Sequence, residues 1–384
     1  MGEFFLDFNF FMPVRVFSGE GCVIQHAAVL RRLGRRCLII TGGSSAVKCG
    51  ALNDAMEAVG RHGIETSVFP GISPNPLVSQ CQAAAFAAEA FKADFLIGIG
   101  GGSVMDATKA AAWLVTNNIT DGDKLFTGEF RHAPLPTVMI GTTAGTGSEV
   151  DGTGVLTVDY TKRKRSFNSP LCFPRYAFAD PAYTASMPRN LTISTALDAY
   201  CHAAEGWLSA GCGDVISAFG EKALSLIADG LYQLAENDGT PSPALREQLL
   251  YGSLYAGVVL SACGTCFPHP LGYCLTEDFQ VPHGMACAVF LPDLLKRAAI
   301  FTPERYQRLV ELSGGKQRLD KILDKLIYLE KPITMTSAQI AEYAKRWGNL
   351  KNFNRTPGGF TAEDAVGLFH TDFADTTDDD SCSM

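Results

Sequence analysis

The segment LDAYCHAAEG sets Asp198 and His202 four residues apart, so on a helix a carboxylate and an imidazole project from one face. Further along, FPHPLGYCLTEDFQVPHGMA carries His269 and His283, the second directly before a glycine and a helical run. Imidazole and carboxylate ligands suit Fe2+ and Zn2+ alike, and intrinsic affinity favours zinc. An isolated Asp/His pair is more often a surface hydrogen bond than a ligand set. The chain has only seven histidines, however, and three of them lie in apolar or Gly/Pro surroundings with an aspartate beside one. On the residues alone two readings stand: a divalent-metal site of Asp198, His202, His269 and His283, or separate histidines that cap helices.

A second chemistry is written in glycine. ADFLIGIGGGSVMDATKAAAWLV runs from strand to glycine cluster to helix start, with Gly100, Gly101 and Gly102 before Ser103. Backbone without Cβ atoms lets a phosphate approach closely, and the amides of a helix N-terminus face it with a favourable dipole. A tight strand-to-helix turn also needs glycine for steric reasons alone. What favours a dinucleotide cradle is a second loop, Thr142 to Glu149, after another apolar strand, because parallel sheets place such loops side by side at their carboxyl ends. A third loop, Thr41 to Ser45, stands where an adenine ribose is expected, and no acidic residue closes that strand. Gly42 with Ser44, Ser45 and Lys48 leaves room for a 2′-phosphate, which favours NADP over NAD; the other reading is an ordinary polar loop.

These residues need elements to position them. RRCLIITGG, IETSVFPG, ADFLIGIG and PLPTVMIG read as strands, separated by the helical ALNDAMEAVGRHG and LVSQCQAAAFAAEAFK, an alternation that argues for crossover units around a parallel sheet. GVLTVDYTKRKRSFN reads as a hairpin. From about Asn190 the strand signals stop and helical periodicity takes over, in TISTALDAYCHAAEGWLS, VISAFGEKALSLIADGLYQLAE, ALREQLLYGSLYAGVVLSACG, MACAVFLPDLLKRAAIF and SAQIAEYAKRWG. The fold class expected is an α/β dinucleotide-binding domain with a Rossmann-like parallel sheet, residues 1–187, followed by an all-helical metal-binding domain, residues 188–384. The acidic tail, 375–384, is expected to be disordered. Asp106 and Glu149 lie where capping is the simplest account, Cys201 points about 100° away from His202, and the run Lys162 to Arg165 reads as a solvated hairpin from which Lys164 could still reach a pyrophosphate.

Composition narrows the classes. Of 384 residues, 47% are hydrophobic and 19% charged, enough apolar side chain for a sizeable core. Thirty-two basic against 40 acidic residues leave a net charge of −8, which excludes a nucleic-acid binder as the first reading. Twelve cysteines scattered without a CxxC pair read as reduced thiols in a cytoplasm. Apolar runs are broken well short of the roughly 20 residues a bilayer crossing needs, so no membrane partner is expected. A homo-oligomer, a dimer, is the expected assembly.

Taken together these segments resemble the iron-containing (group III) alcohol dehydrogenases from Phe11 to about Phe369. The family's GGGSxxD stands at Gly100 to Asp106, its TTAGTGSE at Thr142 to Glu149, its D-x-x-x-H at Asp198 and His202, and its last two ligands at His269 and His283. SFNSPLCFPRYAFADPAYT, HPLGYCLT and NRTPGGFT are most similar to the 1,3-propanediol dehydrogenase-like branch. The resemblance implies that Asp198, His202, His269 and His283 hold the metal, iron with zinc as the alternative. It implies that Asn75, Gly101, Gly102, Ser103, Asp106, Thr142, Thr143, Thr146 and Lys164 serve the cofactor. Where some relatives carry a further histidine near the nicotinamide, this chain has Tyr273, so proton delivery differs.

The activity so implied is interconversion of a small primary alcohol or diol and its aldehyde, with the metal as Lewis acid and the nicotinamide carrying the hydride. Two rivals are a non-redox enzyme of the dehydroquinate synthase-like kind and a catalytically inactive nucleotide-binding relative. The first calls for a cluster of Lys, Arg and His around the metal, which the linear sequence does not show. The second calls for a missing ligand or a broken glycine loop, and both are intact.

Overall fold

The computed structural model describes residues 10–128, 131–348 and 350–375, so the expected acidic tail lies, apart from Asp375, outside the described residues. Six strands form one parallel sheet: β1 Arg15–Ser18, β2 Arg36–Thr41, β3 Glu65–Phe69, β4 Phe95–Gly100, β5 Thr137–Gly141 and β8 Tyr176–Ala179, in the order β1-β8-β5-β4-β2-β3. β6 Thr153–Thr157 and β7 Lys164–Asn168 make the antiparallel hairpin. Successive residues of a strand face opposite sides: Leu38, Ile40 and Leu96 enter one core, Cys37, Ile39 and Ile97 another. Burial on both faces explains why β2 and β4 read as continuous apolar runs instead of alternating ones.

The chain runs outward from β2 to β3, crosses back to β4 beside β2, and continues outward to β5 on the other side. That reversal leaves a crevice beyond the carboxyl ends of β2 and β4, where doubly wound sheets bind their ligands. From Arg189 onward the chain is helical. The helix Arg189–Leu208 is buried along nearly its whole length and packs against the helices Asp214–Glu236, Pro243–Cys263 and His283–Ala288.

Two elements differ from the periodicity. HPLGYCLTEDF is a helix, Pro268–Phe279, despite its prolines: Pro268 and Pro270 sit in the first turn, where the missing N–H groups have no intrahelical partner to lose. MACAVFLPDLLKRAAIF is two helices, His283–Ala288 and Leu291–Phe301, with Pro292 starting the second. Among the described residues no single helix is long and apolar enough to cross a membrane.

Candidate active site

The sheet's carboxyl edge and the helical half border a cleft of about 1300 Å³ that runs from Gly42 to His283. At one end, Asp198 and His202 project from one face of the helix Arg189–Leu208, His269 from the first turn of its helix and His283 from the start of another. The Nε2 atoms of His202, His269 and His283 lie 3.8, 3.8 and 3.9 Å from Oδ1 of Asp198. These separations are too long for hydrogen bonds and slightly wider than the ~3.4 Å edge of a tetrahedral site with ~2.1 Å bonds. Asp198 Oδ1 and His269 Nε2 are buried without any hydrogen-bond partner, a costly arrangement unless a cation takes those lone pairs. The donor set therefore fits a divalent ion.

Close helix approach builds the cluster. A Cβ on Gly284 would stand 1.9 Å from the Ser194 carbonyl and 2.8 Å from Cβ of Asp198, so only glycine lets the His283 helix reach the Asp198 helix. Burial holds the pKa of His202 down at about 4 and that of His283 well below the usual value, which leaves both imidazoles neutral with a free lone pair. Burial opposes charge on His269 too, but Glu205 and Asp198 outweigh it and raise its pKa. Glu205 Oε1 lies 2.6 Å from His269 Nδ1, and Oε2 accepts the Cys266 amide at 2.8 Å. Glu205 escaped the reading of the sequence, although it stands three residues after His202 on the same face. Cys287, one turn after His283, was also missed; its Sγ lies 3.7 Å from His283 Nδ1, and it groups with Asp198, His269 and His283 within 4.8 Å.

The other end carries the glycine loops. β4 and β5 pair up to Gly100 and Gly141, so the loops after them lie side by side, and Gly101, Gly102, Ser103, Thr143 and Thr146 line the cleft. A Cβ on Gly102 would fall 2.5 Å from Cγ2 of Thr146, so the two loops touch through that missing side chain. Gly42 lines the far end, Asn75 donates its amide to Ser103 Oγ at 3.2 Å, and Lys48 is exposed on the one-turn helix Ser45–Lys48. Thr142 departs from expectation: it is buried, does not line the cleft, and its N–H donates to the Gly100 carbonyl, so it shapes the turn. Asp106 caps nothing. It lines the cleft, but its oxygens accept from Ser148 Oγ (2.6 Å) and the Val155 amide (2.9 Å), tying the loop to the hairpin.

The basic run is not simply solvated. Arg163 pairs with Glu277 and Asp278, while Lys164 turns into the cleft with Nζ 5.3 Å from the centre of the Tyr273 ring. Burial lowers the Lys164 pKa. Tyr273 stacks on His283 at 5.4 Å, and burial pushes its phenol up, so it stays protonated at neutral pH. Beneath the second loop Lys109 is fully buried and bonds Ser148 Oγ, the Thr153 carbonyl and Asp151, a support that nothing in the helical pattern of Gly102–Asn117 announces.

Residues 13–181 match the family model for iron-containing alcohol dehydrogenase, and residues 192–343 the model for the C-terminal part of the same family. The chain is 32% identical to the 1,3-propanediol dehydrogenase of Klebsiella pneumoniae over 311 residues, covering 80% of this chain and 77% of that protein. It is 28% identical to the NAD-dependent methanol dehydrogenase of Bacillus methanolicus, over 80% of each chain. Among solved structures, an iron-containing alcohol dehydrogenase of Thermotoga maritima superposes with a TM-score of 0.87 at 32% identity, covering 95% of this chain and 99% of that one.

Proposed function

This chain belongs to the iron-containing alcohol dehydrogenase family, and we propose that it is a metal-dependent, NAD(P)-linked aldehyde reductase for short primary alcohols or diols of the 1,3-propanediol kind. The observation that carries this reading is the convergence of three imidazole Nε2 atoms on the partnerless Asp198 Oδ1, in the cleft that also holds both glycine loops. Asp198, His202, His269 and His283 would hold the ion, and Gly101, Gly102, Ser103, Thr143 and Thr146 the dinucleotide, with Gly42 beside the adenine ribose. Residues 1–187 and 188–384 are our working division into cofactor and metal domains, and the free described cysteines support a reducing, cytoplasmic setting.

When bound, the ion supplies Lewis acidity at the alcohol or carbonyl oxygen, and the nicotinamide supplies or takes the hydride. The protein's own contribution is placement. Glu205 fixes the orientation of His269, burial keeps His202 and His283 neutral, and Gly284 holds two ligand-bearing helices together. Lys164 brings positive charge beside Tyr273, between the ligand cluster and the glycine loops. The test is anaerobic purification with elemental analysis, then NADPH and NADH oxidation with a panel of short aldehydes. Metal-dependent oxidation of either cofactor is expected; a bound ion with no net cofactor oxidation on any aldehyde would favour the non-redox rival. Restoration of the chelated enzyme by Fe2+ supports iron, and restoration by Zn2+ alone overturns it.

A further inference from the structure

We propose that the short helix Lys351–Arg355 forms an anion-binding subsite beside the segment that leads into His269, and that the substrate is a short aldehyde, with its alcohol, carrying an anionic group on its far end. This rests on the metal-dependent reductase reading above and replaces its neutral diol by an anionic substrate. Lys351, Asn352 and Arg355 line the same cleft as His269 and Tyr273. The helix is fastened to the segment just before His269. Asn352 Nδ2 donates to Thr265 Oγ1 at 2.7 Å and to its carbonyl at 3.2 Å, and the Phe267 amide donates to Thr356 Oγ1 at 3.2 Å. The Arg355 guanidinium lies against Gly264, where a Cβ would stand 2.1 Å from Nη1. Arg355 is therefore placed by contacts that use the backbone and its neighbours and leave its charge unmatched.

The charge balance of the cleft points the same way. Its acids are already engaged: Asp106 by Ser148 and Val155, Asp151 by the buried Lys109, and Asp198 within the ligand cluster. Among the described residues no carboxylate pairs with Lys164, Lys351 or Arg355, whereas Arg163 and Arg308 each hold two and Arg346 holds one. The cleft thus holds three cations with no carboxylate partner, in a chain of net charge −8. Lys164 comes from β7 beside the glycine loops and is accounted for by a dinucleotide. Lys351 and Arg355, one helical turn apart, repel each other across solvent and gain from an anion between them. The planar guanidinium suits a carboxylate, sulfonate or phosphate equally, and a neutral short aldehyde gains nothing from it.

The experiment compares 4-oxobutanoate with butanal, which match in length, at saturating cofactor, in wild type, Arg355→Gln, Arg355→Lys and Arg355→Glu. The wild type should favour the anionic aldehyde in kcat/KM by about 10-fold or more, mainly through KM, and the preference should shrink with salt. Arg355→Gln should remove most of that ratio, Arg355→Lys should keep part of it, and Arg355→Glu should invert it. Butanal turnover in the same variants reports whether the folded enzyme survives. Reduction of both aldehydes with no anionic preference in wild type, or a preference untouched by Arg355→Gln, overturns the subsite while the reductase reading stands. Reduction of neither aldehyde, nor of any other, overturns both.

Discussion

Nδ1 of His269 lies 2.6 Å from Oε1 of Glu205, a residue with no exposed surface, and that contact turns the other nitrogen of the ring toward Asp198. Carboxylates in this position orient a ligating imidazole and raise its basicity. Glu205→Gln should therefore weaken metal binding by about 10- to 100-fold, read by competition with a chelator. Glu205→Ala should in addition strand the Cys266 amide and His269 Nδ1 and lower the stability of the metal-free protein by about 1–3 kcal/mol. Unchanged affinity in both variants would show that Glu205 serves packing alone.

Gly102 is the point where the two glycine loops touch. In Gly102→Val, the new side chain meets Thr146, whose Cγ2 would lie 2.5 Å from its Cβ, and it also enters the space a pyrophosphate would occupy. The KM for NAD(P)H should rise at least about 10-fold, with a much smaller change in the KM for aldehyde. Equal changes in both would return this loop to a purely steric role.

Gly42 bears on the choice of cofactor. With nothing anionic at that strand end, wild type should accept NADPH at least as well as NADH, and Gly42→Asp should reverse this by roughly 5- to 150-fold in relative kcat/KM. A Cβ there meets the Ile72 carbonyl at 3.1 Å and Val104 Cγ2 at 3.3 Å, so Gly42→Ala is the control that carries the crowding without the charge. Kinetics with both cofactors check it: equal NADPH/NADH ratios in the Asp and Ala variants would mean that other contacts set the preference.

Glu149 gives a pH signature. Burial raises its pKa from 4.5 to about 7, so the folded chain holds this proton more tightly than the unfolded one. Its contribution to stability is present below pH 4.5 and declines as pH rises from 4.5 to 7, by about 3 kcal/mol in all. Glu149→Gln lacks that decline, so the Tm difference between variant and wild type should move in the variant's favour across this window. Parallel Tm curves would show that Glu149 ionises as it does in the unfolded chain.

The four candidate ligands stood out in the sequence because Asp198 and His202 are spaced on one helix and His283 stands before the glycine that its helix contact requires, but only the family resemblance joined them into one set. β2, β3, β4 and β5 could be read because their apolar runs end in glycine loops, whereas β1 and β8, four residues each, are too short to carry that signal. Glu205 could not be assigned a role, since its partner His269 comes from 64 residues away. Lys109 and Asp151 form a buried pair 42 residues apart, and a lysine inside an alanine-rich helix carries no sign of that bond. Lys164 is far in sequence from Lys351 and Arg355, and packing of the 351–355 helix on the segment before His269 brings them to one cleft. Patterning reports which face of an element is buried, and pairing between distant elements lies outside it.

The proposed reading is that Asp198, His202, His269 and His283 together hold the ion on which turnover depends. Its most direct test is the metal content of anaerobically purified wild type, His269→Ala and His283→Ala, measured by elemental analysis beside NAD(P)H-linked aldehyde reduction, with circular dichroism to confirm folding. One divalent ion per wild-type chain is expected, with loss of most of the metal and nearly all turnover in either folded variant. Wild-type metal content and full turnover in His269→Ala or His283→Ala would contradict it.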